Sequence, residues 1–358
     1  MLNKIKKSRP ASQGFLILVL IVLVSSCTRG QLLPYPIVSQ ATLPTEIEQV
    51  NLLGSVAPTS IQNPLDKPQF HPSESITPAT TIPATIPPGV TSTYPPDSPT
   101  ILPPDYWMSL PIIPSVSEFA RETYHEGVGM GRDPHAFSKI GDCQSISTYF
   151  LSYFDLPDYY ELGDHISLQD TIDWFSGSFS RESLAVKGGF NAAAILSPLR
   201  SDPEKCNPNE NPIACEFRLH NPSIAIISLE EWWADYPENY ETYMRQIIEY
   251  ALQQGVVPII TTKADNLEGN NLINQIIVRL SQEYDIPLWN FWLAVQPLPN
   301  HGLIAVDTSG ALDMFHLTHS QGFYDYNNPI AAQSGWSIRN LTALLALDAV
   351  RRGLTEQP

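Results

Sequence analysis

Two short segments of the sequence carry residue types that could perform acyl-transfer chemistry. The first covers residues 137–145 (FSKIGDCQS) and has the pattern of a strand that ends in a tight turn, with Cys143 at the start of a helix. A nucleophile is often held at such a turn. The second is Asp313-Met314-Phe315-His316, in which an acid precedes a histidine by three residues and could orient it as a general base. Together they predict a thiol nucleophile served by an acid–histidine pair.

The N-terminus has the pattern of an export signal, predicted over residues 1–26. Basic residues precede an apolar run over residues 15–24, about half of the roughly 20 residues that a membrane-spanning helix needs. Residues 24–27 (VSSC) resemble the lipobox of bacterial lipoproteins, which implies cleavage before Cys27, a lipid on its sulfur, and a membrane-anchored protein on the extracytoplasmic side. The alternative is an ordinary secretory signal in which the cysteine is incidental.

The charge of the chain argues against binding to nucleic acids. Removal of residues 1–26 takes away four positive charges, so the formal net charge falls from −17 to −21. A chain this acidic binds nucleic acids and anionic membrane surfaces poorly. A well-solvated surface accounts for the charge without any cationic partner.

The four cysteines divide into three roles. Cys27 is assigned to the lipid. Cys206 and Cys215 flank a turn-rich segment that could bring their sulfurs together in an oxidising compartment, so a disulfide is predicted there. Cys143 then keeps its thiol, and it is either a reactive group or an inert buried cysteine.

The composition predicts a stalk followed by one folded domain. Residues 28–105 hold 16 of the 33 prolines, interleaved with threonine, serine and isoleucine. Such a segment cannot bury a core and favours an extended chain, so residues 27–105 are interpreted as a disordered, lipid-anchored stalk. A ligand for a proline-recognising module and a glycosylated segment are the alternatives. Residues 106–358 are long enough for one sizeable domain.

The pattern within residues 106–358 predicts an α/β fold with a doubly wound parallel sheet. Several runs are apolar on both faces, which does not suit a strand at the surface. They indicate buried parallel strands. The predicted helices cover residues 117–124, 144–154, 167–179, 182–196, 239–254, 272–284 and 337–352, and the predicted strands cover 137–140, 223–229, 256–262 and 287–291. Functional groups collect at the carboxyl ends of such strands, where Cys143 and Glu230 are expected.

Residues 115–353 resemble the SGNH, or GDSL-type, hydrolase family, whose members are three-layer α/β/α, flavodoxin-like esterases, lipases and carbohydrate deacetylases. Gly141-Asp142-Cys143 stands where that family has Gly-Asp-Ser with a nucleophilic serine. The resemblance implies that the amide of Gly188 or Gly189 contributes to an oxyanion hole. It also implies that Asp313 and His316 are the family's Asp-x-x-His block.

Two features depart from the family pattern. Cysteine replaces the nucleophilic serine at position 143. The family's Gly-x-Asn-Asp turn is replaced by Leu229-Glu230-Glu231-Trp232-Trp233. Trp232 therefore stands where the oxyanion asparagine would be. Loss of one oxyanion donor typically costs about 3 kcal/mol, or a hundredfold or more in rate. Ser145 is a candidate substitute nucleophile, although its place in the predicted helix directs it elsewhere.

Several further residues are candidates for substrate contact. They are Asp142, Gly188, Asn191, Glu230 and Trp232. Asp142 could instead cap the predicted helix. The Glu230–Trp233 segment is either an aromatic platform facing a carbohydrate or a loop that packs against the sheet.

The leading hypothesis is a lipid-anchored surface esterase acting on a small-molecule or glycan ester, such as an acyl or acetyl group of an envelope glycan. Its expected site is Cys143, His316 and Asp313, with the Gly189 amide at the oxyanion. The rival hypothesis is a non-catalytic module of the same fold with a carbohydrate-binding or structural role. No cofactor is expected. No metal is expected either, since the histidines lack the usual ligand spacing, and the chain is expected to be a monomer.

Overall fold

The computed structural model describes residue 103 and residues 105–229, 237–319, 324–330 and 333–356. The predicted leader at 1–26 and nearly all of the predicted stalk at 27–105 lie outside these residues. Cys27, Glu230 and Trp232 lie outside them as well. Among the described residues, no helix combines the length and the apolar character that crossing a bilayer requires.

The described strands form a parallel sheet of four strands and a separate parallel pair. The strands are β1 (Asp133–Gly141), β2 (Tyr160–Glu161), β3 (Pro222–Ser228), β4 (Val257–Thr261), β5 (Leu288–Trp289) and β6 (Tyr324–Asp325). The larger sheet has the order β1-β3-β4-β5, and β2 pairs with β6. Every pairing is parallel. The predicted α/β class with a parallel sheet is therefore confirmed.

Side chains on the two faces of the larger sheet belong to two different apolar clusters. Because successive side chains of a strand point to opposite faces, a strand buried on both sides must be apolar throughout. Strand β3 is buried along its whole length, and its central residues 224–227 (IAII) are apolar on both faces. The first cluster takes Phe137, Ile224, Ile226 and Ile259 from the strands, and the second takes Ile140, Ala225, Ile227 and Ile260.

Helices supply many further members of both clusters. The α-helices are α1 (Glu118–Gly129), α2 (Gln169–Trp174), α3 (Ala192–Ile195), α4 (Pro212–His220), α5 (Pro237–Gln253), α6 (Leu272–Glu283), α7 (Phe291–Val295) and α8 (Gly335–Thr355). Helices α1, α2, α7 and α8 contribute to the first cluster, and α3 to α6 contribute to the second. The predicted boundaries of α5, α6 and α8 are correct to within about three residues.

Two predicted helices are wrong, and two others have wrong ends, because the helix predicted at 117–124 continues to Gly129 and only Gln169–Trp174 of residues 167–179 is α-helical. Residues 144–154 do not form one helix, because a 3-10 turn at Cys143–Ser145 is followed by turns and by a second 3-10 segment at Ser152–Asp155. Residues 182–196 are turns apart from α3, with an isolated bridge between Val186 and Gly141. Both segments use their backbone groups in contacts with other parts of the fold.

A buried lysine on β1 joins that strand to two neighbouring loops. Lys139 is 2 % exposed, and its Nζ donates to Ser147 Oγ and to the Phe179 carbonyl, each at 2.8 Å. Burial, together with the charge of Arg181, lowers the pKa of Lys139 to about 7, although Glu216 acts in the opposite direction. The folded protein therefore releases this proton far below the pH at which an exposed lysine would.

We expect Lys139 to make the folded state more stable as pH rises above 7. Between pH 7 and the ordinary lysine pKa of 10.5, the unfolded chain binds this proton and the folded chain does not. The free energy of unfolding then increases with pH, by up to about 1.4 kcal/mol per pH unit from this group. Urea denaturation at pH 7, 8 and 9 measures the effect.

The stability of Lys139→Met is compared with that of the wild type at each pH. Lys187→Met is the matched control, because it removes an exposed lysine. The difference in stability between the wild type and Lys139→Met should shift in favour of the wild type as pH rises. For Lys187→Met the difference should stay constant. Parallel pH profiles for the wild type and Lys139→Met would contradict the assignment.

Candidate active site

The site is built at the carboxyl ends of β1 and β3. Gly141 is paired with Ser228, so both strands end side by side. Asp142 and Cys143 follow immediately after the last residue of β1. A Cβ atom at Gly141 would collide with Ser145 Oγ and would lie 2.6 Å from the Ser228 carbonyl oxygen. Glycine is required there because the turn folds back closely over the strand end.

Gly141→Ala is expected to destabilise the fold by about 2 to 3 kcal/mol, because the added methyl meets fixed backbone and cannot be relieved by a rotamer change. Gly129→Ala is the control, since a Cβ there has no heavy atom within 4 Å. Chemical denaturation of both variants measures the difference. Equal stability of the two variants would show that the turn can relax around the methyl group.

The turn after Gly141 is short and buried. Residues Cys143–Ser145 form a single 3-10 turn, and the Asp142 carboxylate caps it by accepting the Gln144 N–H at 2.9 Å. Asp142 is 0 % exposed and Cys143 is 6 % exposed. The expected helix start at Cys143 is therefore a three-residue turn, too short to stabilise a thiolate through a helix dipole.

Asp313 and His316 lie on the returning arm of a hairpin-like loop. Antiparallel bridges join Leu303 to Leu317 and Val306 to Leu312. The Asp313 carboxylate accepts the backbone N–H of Phe315 at 3.0 Å and that of His316 at 2.8 Å. An aspartate that binds the amides two and three residues ahead forms a local turn, so the order Asp-x-x-His itself brings the two side chains together.

The three predicted catalytic side chains meet in this site. The distance from Cys143 Sγ to His316 Nε2 is 3.9 Å, and His316 Nδ1 lies 3.0 and 3.1 Å from the two carboxylate oxygens of Asp313. With a proton on Nδ1 held by the carboxylate, Nε2 presents its lone pair to the sulfur. The arrangement matches a nucleophile, a base and a group that orients the base.

The surroundings of Asp313 favour its ionised form. Burial alone would raise the pKa of its carboxyl group. The backbone N–H groups of His316 and Phe315 and the ring of His316 outweigh that effect, so the pKa of Asp313 lies below its usual value. The carboxylate can therefore stabilise a positive charge that develops on His316 during proton transfer.

Comparison with known proteins leaves the family of this chain open. No model of a known protein family matches the sequence, and no curated protein matches it significantly. Any functional statement about the site therefore depends on its geometry and chemistry.

The predicted oxyanion segment runs alongside the nucleophile turn. Val186 forms a parallel bridge with Gly141, and the Lys187 N–H donates to the Gly141 carbonyl at 3.3 Å. Gly188 and Gly189 follow in a turn, with Gly189 at φ +79°, which is a left-handed conformation that favours glycine. The segment after Val186 and the turn after Gly141 therefore run side by side in the same direction.

The remaining predicted site residues that the structure describes do not join the group of Cys143, His316 and Asp313. The Asn191 side chain caps α3 by accepting the Ala194 N–H at 3.0 Å. Ser145 is buried and its Oγ donates to the Ser228 carbonyl at 3.5 Å. Both side chains therefore make structural hydrogen bonds. Glu230 and Trp232, predicted at the end of β3, lie outside the described residues.

Two residues that sequence reasoning missed connect the parts of the site. Gln144 Nε2 donates to the Phe315 carbonyl at 3.0 Å, which ties the nucleophile turn to the histidine loop. Arg339 of α8 is fully buried and donates to the Gln144 carbonyl at 3.2 Å and to Ser228 Oγ at 2.5 Å. A charged residue within the apolar pattern of the last helix was the available signal for Arg339. No comparable signal marks Gln144.

One group of side chains in the described residues has the spacing of a metal site. It consists of Cys206, Glu210 and Cys215. The two sulfurs are joined in a disulfide, and Glu210 forms an ion pair with Arg218 at 2.7 Å. Disulfide sulfurs are not the thiolates that bind metal ions, so the group does not fit a metal in this state.

Proposed function

We propose that the folded domain hydrolyses a carboxylic ester with Cys143 as the nucleophile, and that it is a three-layer α/β/α domain of the SGNH type. The observation that carries the proposal is the continuous line from the Cys143 sulfur through both ring nitrogens of His316 to the Asp313 carboxylate. The position of the cysteine directly after the first strand adds to it.

The first half of the reaction forms a thioester. The Cys143 sulfur attacks the ester carbonyl carbon, and the thiol proton passes to His316 Nε2. As the tetrahedral intermediate collapses, the bond from carbon to the alkoxy oxygen breaks and His316 returns the proton to the departing alcohol. Backbone amides of Cys143 and Gly189 are the donors that we assign to the oxyanion.

The second half releases the acid. A water molecule attacks the thioester carbonyl while its proton moves to His316 Nε2. The bond between carbon and sulfur then breaks, and the sulfur regains the proton from His316. Asp313 remains a carboxylate throughout and stabilises the protonated ring at each stage.

We further propose that the domain is held at the outer face of a cell membrane by lipid on Cys27 and that its substrates are acyl or acetyl esters of envelope glycans. The proposal for Cys27 is supported by the VSSC sequence at the end of the apolar leader. Residues 28–105, which hold 16 of the 33 prolines, have the composition of a spacer.

A non-catalytic binding module is the second candidate, and one observation favours it. The Cys143 side chain is nearly closed to solvent, at 6 % exposure. A buried cysteine commonly acts as a small apolar side chain rather than as a nucleophile. In that role the same crevice would hold a ligand without cleaving it.

Trapping the acyl-enzyme distinguishes these two functions. The full chain is mixed with p-nitrophenyl acetate, quenched in acid, digested and analysed by mass spectrometry. An esterase that works through Cys143 should carry an acetyl group on the peptide containing Cys143, and Cys143→Ala should lose the adduct. An unmodified Cys143 together with no release of p-nitrophenol above the buffer rate would refute the proposed hydrolase.

A further inference from the structure

Three aromatic side chains form a cluster next to the proposed catalytic histidine. They are Tyr149, His319 and Trp336, and they are called the aromatic cluster below. The Tyr149 ring lies 5.5 Å from the His319 ring and 5.5 Å from the Trp336 ring, measured between centroids, and His319 is stacked on Trp336 at 6.3 Å. Tyr149 is 42 % exposed and His319 is exposed, whereas Trp336 is buried beneath them.

The aromatic cluster is linked through the chain to the proposed catalytic residues. His319 follows His316 by three residues, and the two rings interact electrostatically. Tyr149 lies six residues after Cys143. His319 therefore brings the cluster onto the same loop as the proposed general base, within range of its charge.

Hydrogen bonds hold the backbone that carries the exposed Tyr149 ring. The Tyr149 carbonyl accepts hydrogen bonds from Tyr324 Oη and from Asn340 Nδ2, both at 3.0 Å. The N–H of Trp336 donates to the Thr318 carbonyl at 3.1 Å, which joins the start of α8 to the chain before His319. A surface aromatic ring on so constrained a backbone loses little conformational entropy when a ligand covers it.

The charge state of His319 suits a contact with an uncharged ring. Burial, and then the charge of His316, lowers the pKa of His319. The ring reaches solvent but is partly buried, which favours the neutral imidazole, with one donor and one acceptor nitrogen beside an aromatic face. Tyr149 likewise combines a flat face with a hydroxyl group.

We propose that the aromatic cluster binds a pyranose ring of the ester substrate, with Tyr149 and His319 as the residues that contact the sugar. This inference rests on the proposed hydrolase function and names the side chains that hold the sugar ring of its substrate. A sugar ring has one apolar face and a polar rim, which matches flat side chains that carry polar groups and remain open to water. An acyl chain would instead bind best in an enclosed apolar cavity.

The test compares acetate release from two acetate esters by the full chain. Glucose pentaacetate carries a pyranose ring, and triacetin carries the same acetyl group on an acyclic backbone. Tyr149→Ala should lower kcat/KM for glucose pentaacetate about tenfold, which corresponds to about 1.4 kcal/mol, mainly through KM. The rate with triacetin should change less than twofold. Tyr149→Phe should retain the preference because it keeps the ring.

The control variant is Tyr159→Ala, which removes a tyrosine of similar exposure, 47 %, elsewhere on the domain. It should leave both substrates unaffected. An equal loss with both substrates in Tyr149→Ala, or no loss with either, would overturn the proposal. Thermal unfolding of each variant separates a loss of fold from a loss of binding.

A direct binding measurement keeps this inference separate from the hydrolase proposal. Cellotetraose and chitotetraose are titrated into the full chain, and the tryptophan fluorescence is followed. If neither acetate ester is hydrolysed, a saturable response that Tyr149→Ala abolishes and Tyr149→Phe retains would still support a sugar site. The absence of any such response in an unreactive protein would reject the sugar site together with the hydrolase.

Discussion

His316→Ala is expected to lower kcat for p-nitrophenyl acetate by about 100- to 10,000-fold, the usual contribution of a positioned general base. The ring receives the thiol proton at Nε2, which is 3.9 Å from the Cys143 sulfur, and later delivers a proton to the leaving group. Because these contacts strengthen only in the transition state, KM should change little. Initial rates over a range of substrate concentrations separate kcat from KM.

The control for this experiment is His125→Ala, which removes an exposed histidine on α1. Its kcat should stay within twofold of the wild-type value. The kcat of Asp313→Asn should lie between those of His316→Ala and His125→Ala. The amide no longer stabilises a protonated ring, but Nε2 of His316 remains in place. A His316→Ala protein that retains the wild-type kcat would mean that another group accepts the proton.

Replacing Arg339 by methionine should produce the largest loss of stability, about 3 kcal/mol or more. The Arg339 guanidinium donates to the Gln144 carbonyl and to Ser228 Oγ, which would both lose a donor in a buried position. Its central carbon also lies 4.9 to 5.4 Å from the ring centroids of Phe150, Trp289 and Phe291. Desolvated contacts between a cation and aromatic rings contribute about 2 kcal/mol or more.

Urea denaturation of Arg339→Met measures this loss, and Arg352→Met on the same helix is the matched control. Arg352 is partly exposed and pairs with Asp348 at 2.9 Å, so its removal should cost less than about 1 kcal/mol. We also expect Arg339→Met to lower kcat, since Arg339 binds the turn that carries Cys143. Equal stability of the two variants would contradict the structural role assigned to Arg339.

The sequence predicted those parts of the fold in which local pattern and tertiary position agree. The buried strand β3 is apolar at positions facing both sides, and α5, α6 and α8 have regular apolar spacing. In these elements the periodicity of the side chains reflects the faces that they bury. The sequence pattern was therefore sufficient to predict the α/β class and the approximate boundaries of α5, α6 and α8.

The segment after Cys143 was predicted wrongly because distant residues take the backbone groups that a helix would pair internally. The Leu151 N–H donates to Asn340 Oδ1 at 2.6 Å, and the Tyr149 carbonyl accepts from Nδ2 of the same side chain. Leu151 itself is at φ +66°, outside the helical region. A similar exchange occurs at Leu184, whose N–H donates to the buried Glu216 at 2.8 Å.

The sequence by itself determined the pairing of Asp313 with His316, because an aspartate binds the amides two and three residues ahead through a local turn. It also identified Cys143 as the thiol that follows the first strand. Only the tertiary structure decided that the sulfur meets the imidazole, since the two lie 173 residues apart along the chain. The contacts from Gln144 to Phe315 and from Arg339 to Gln144 hold them together. No local pattern encodes those contacts, because each depends on where two remote segments pack.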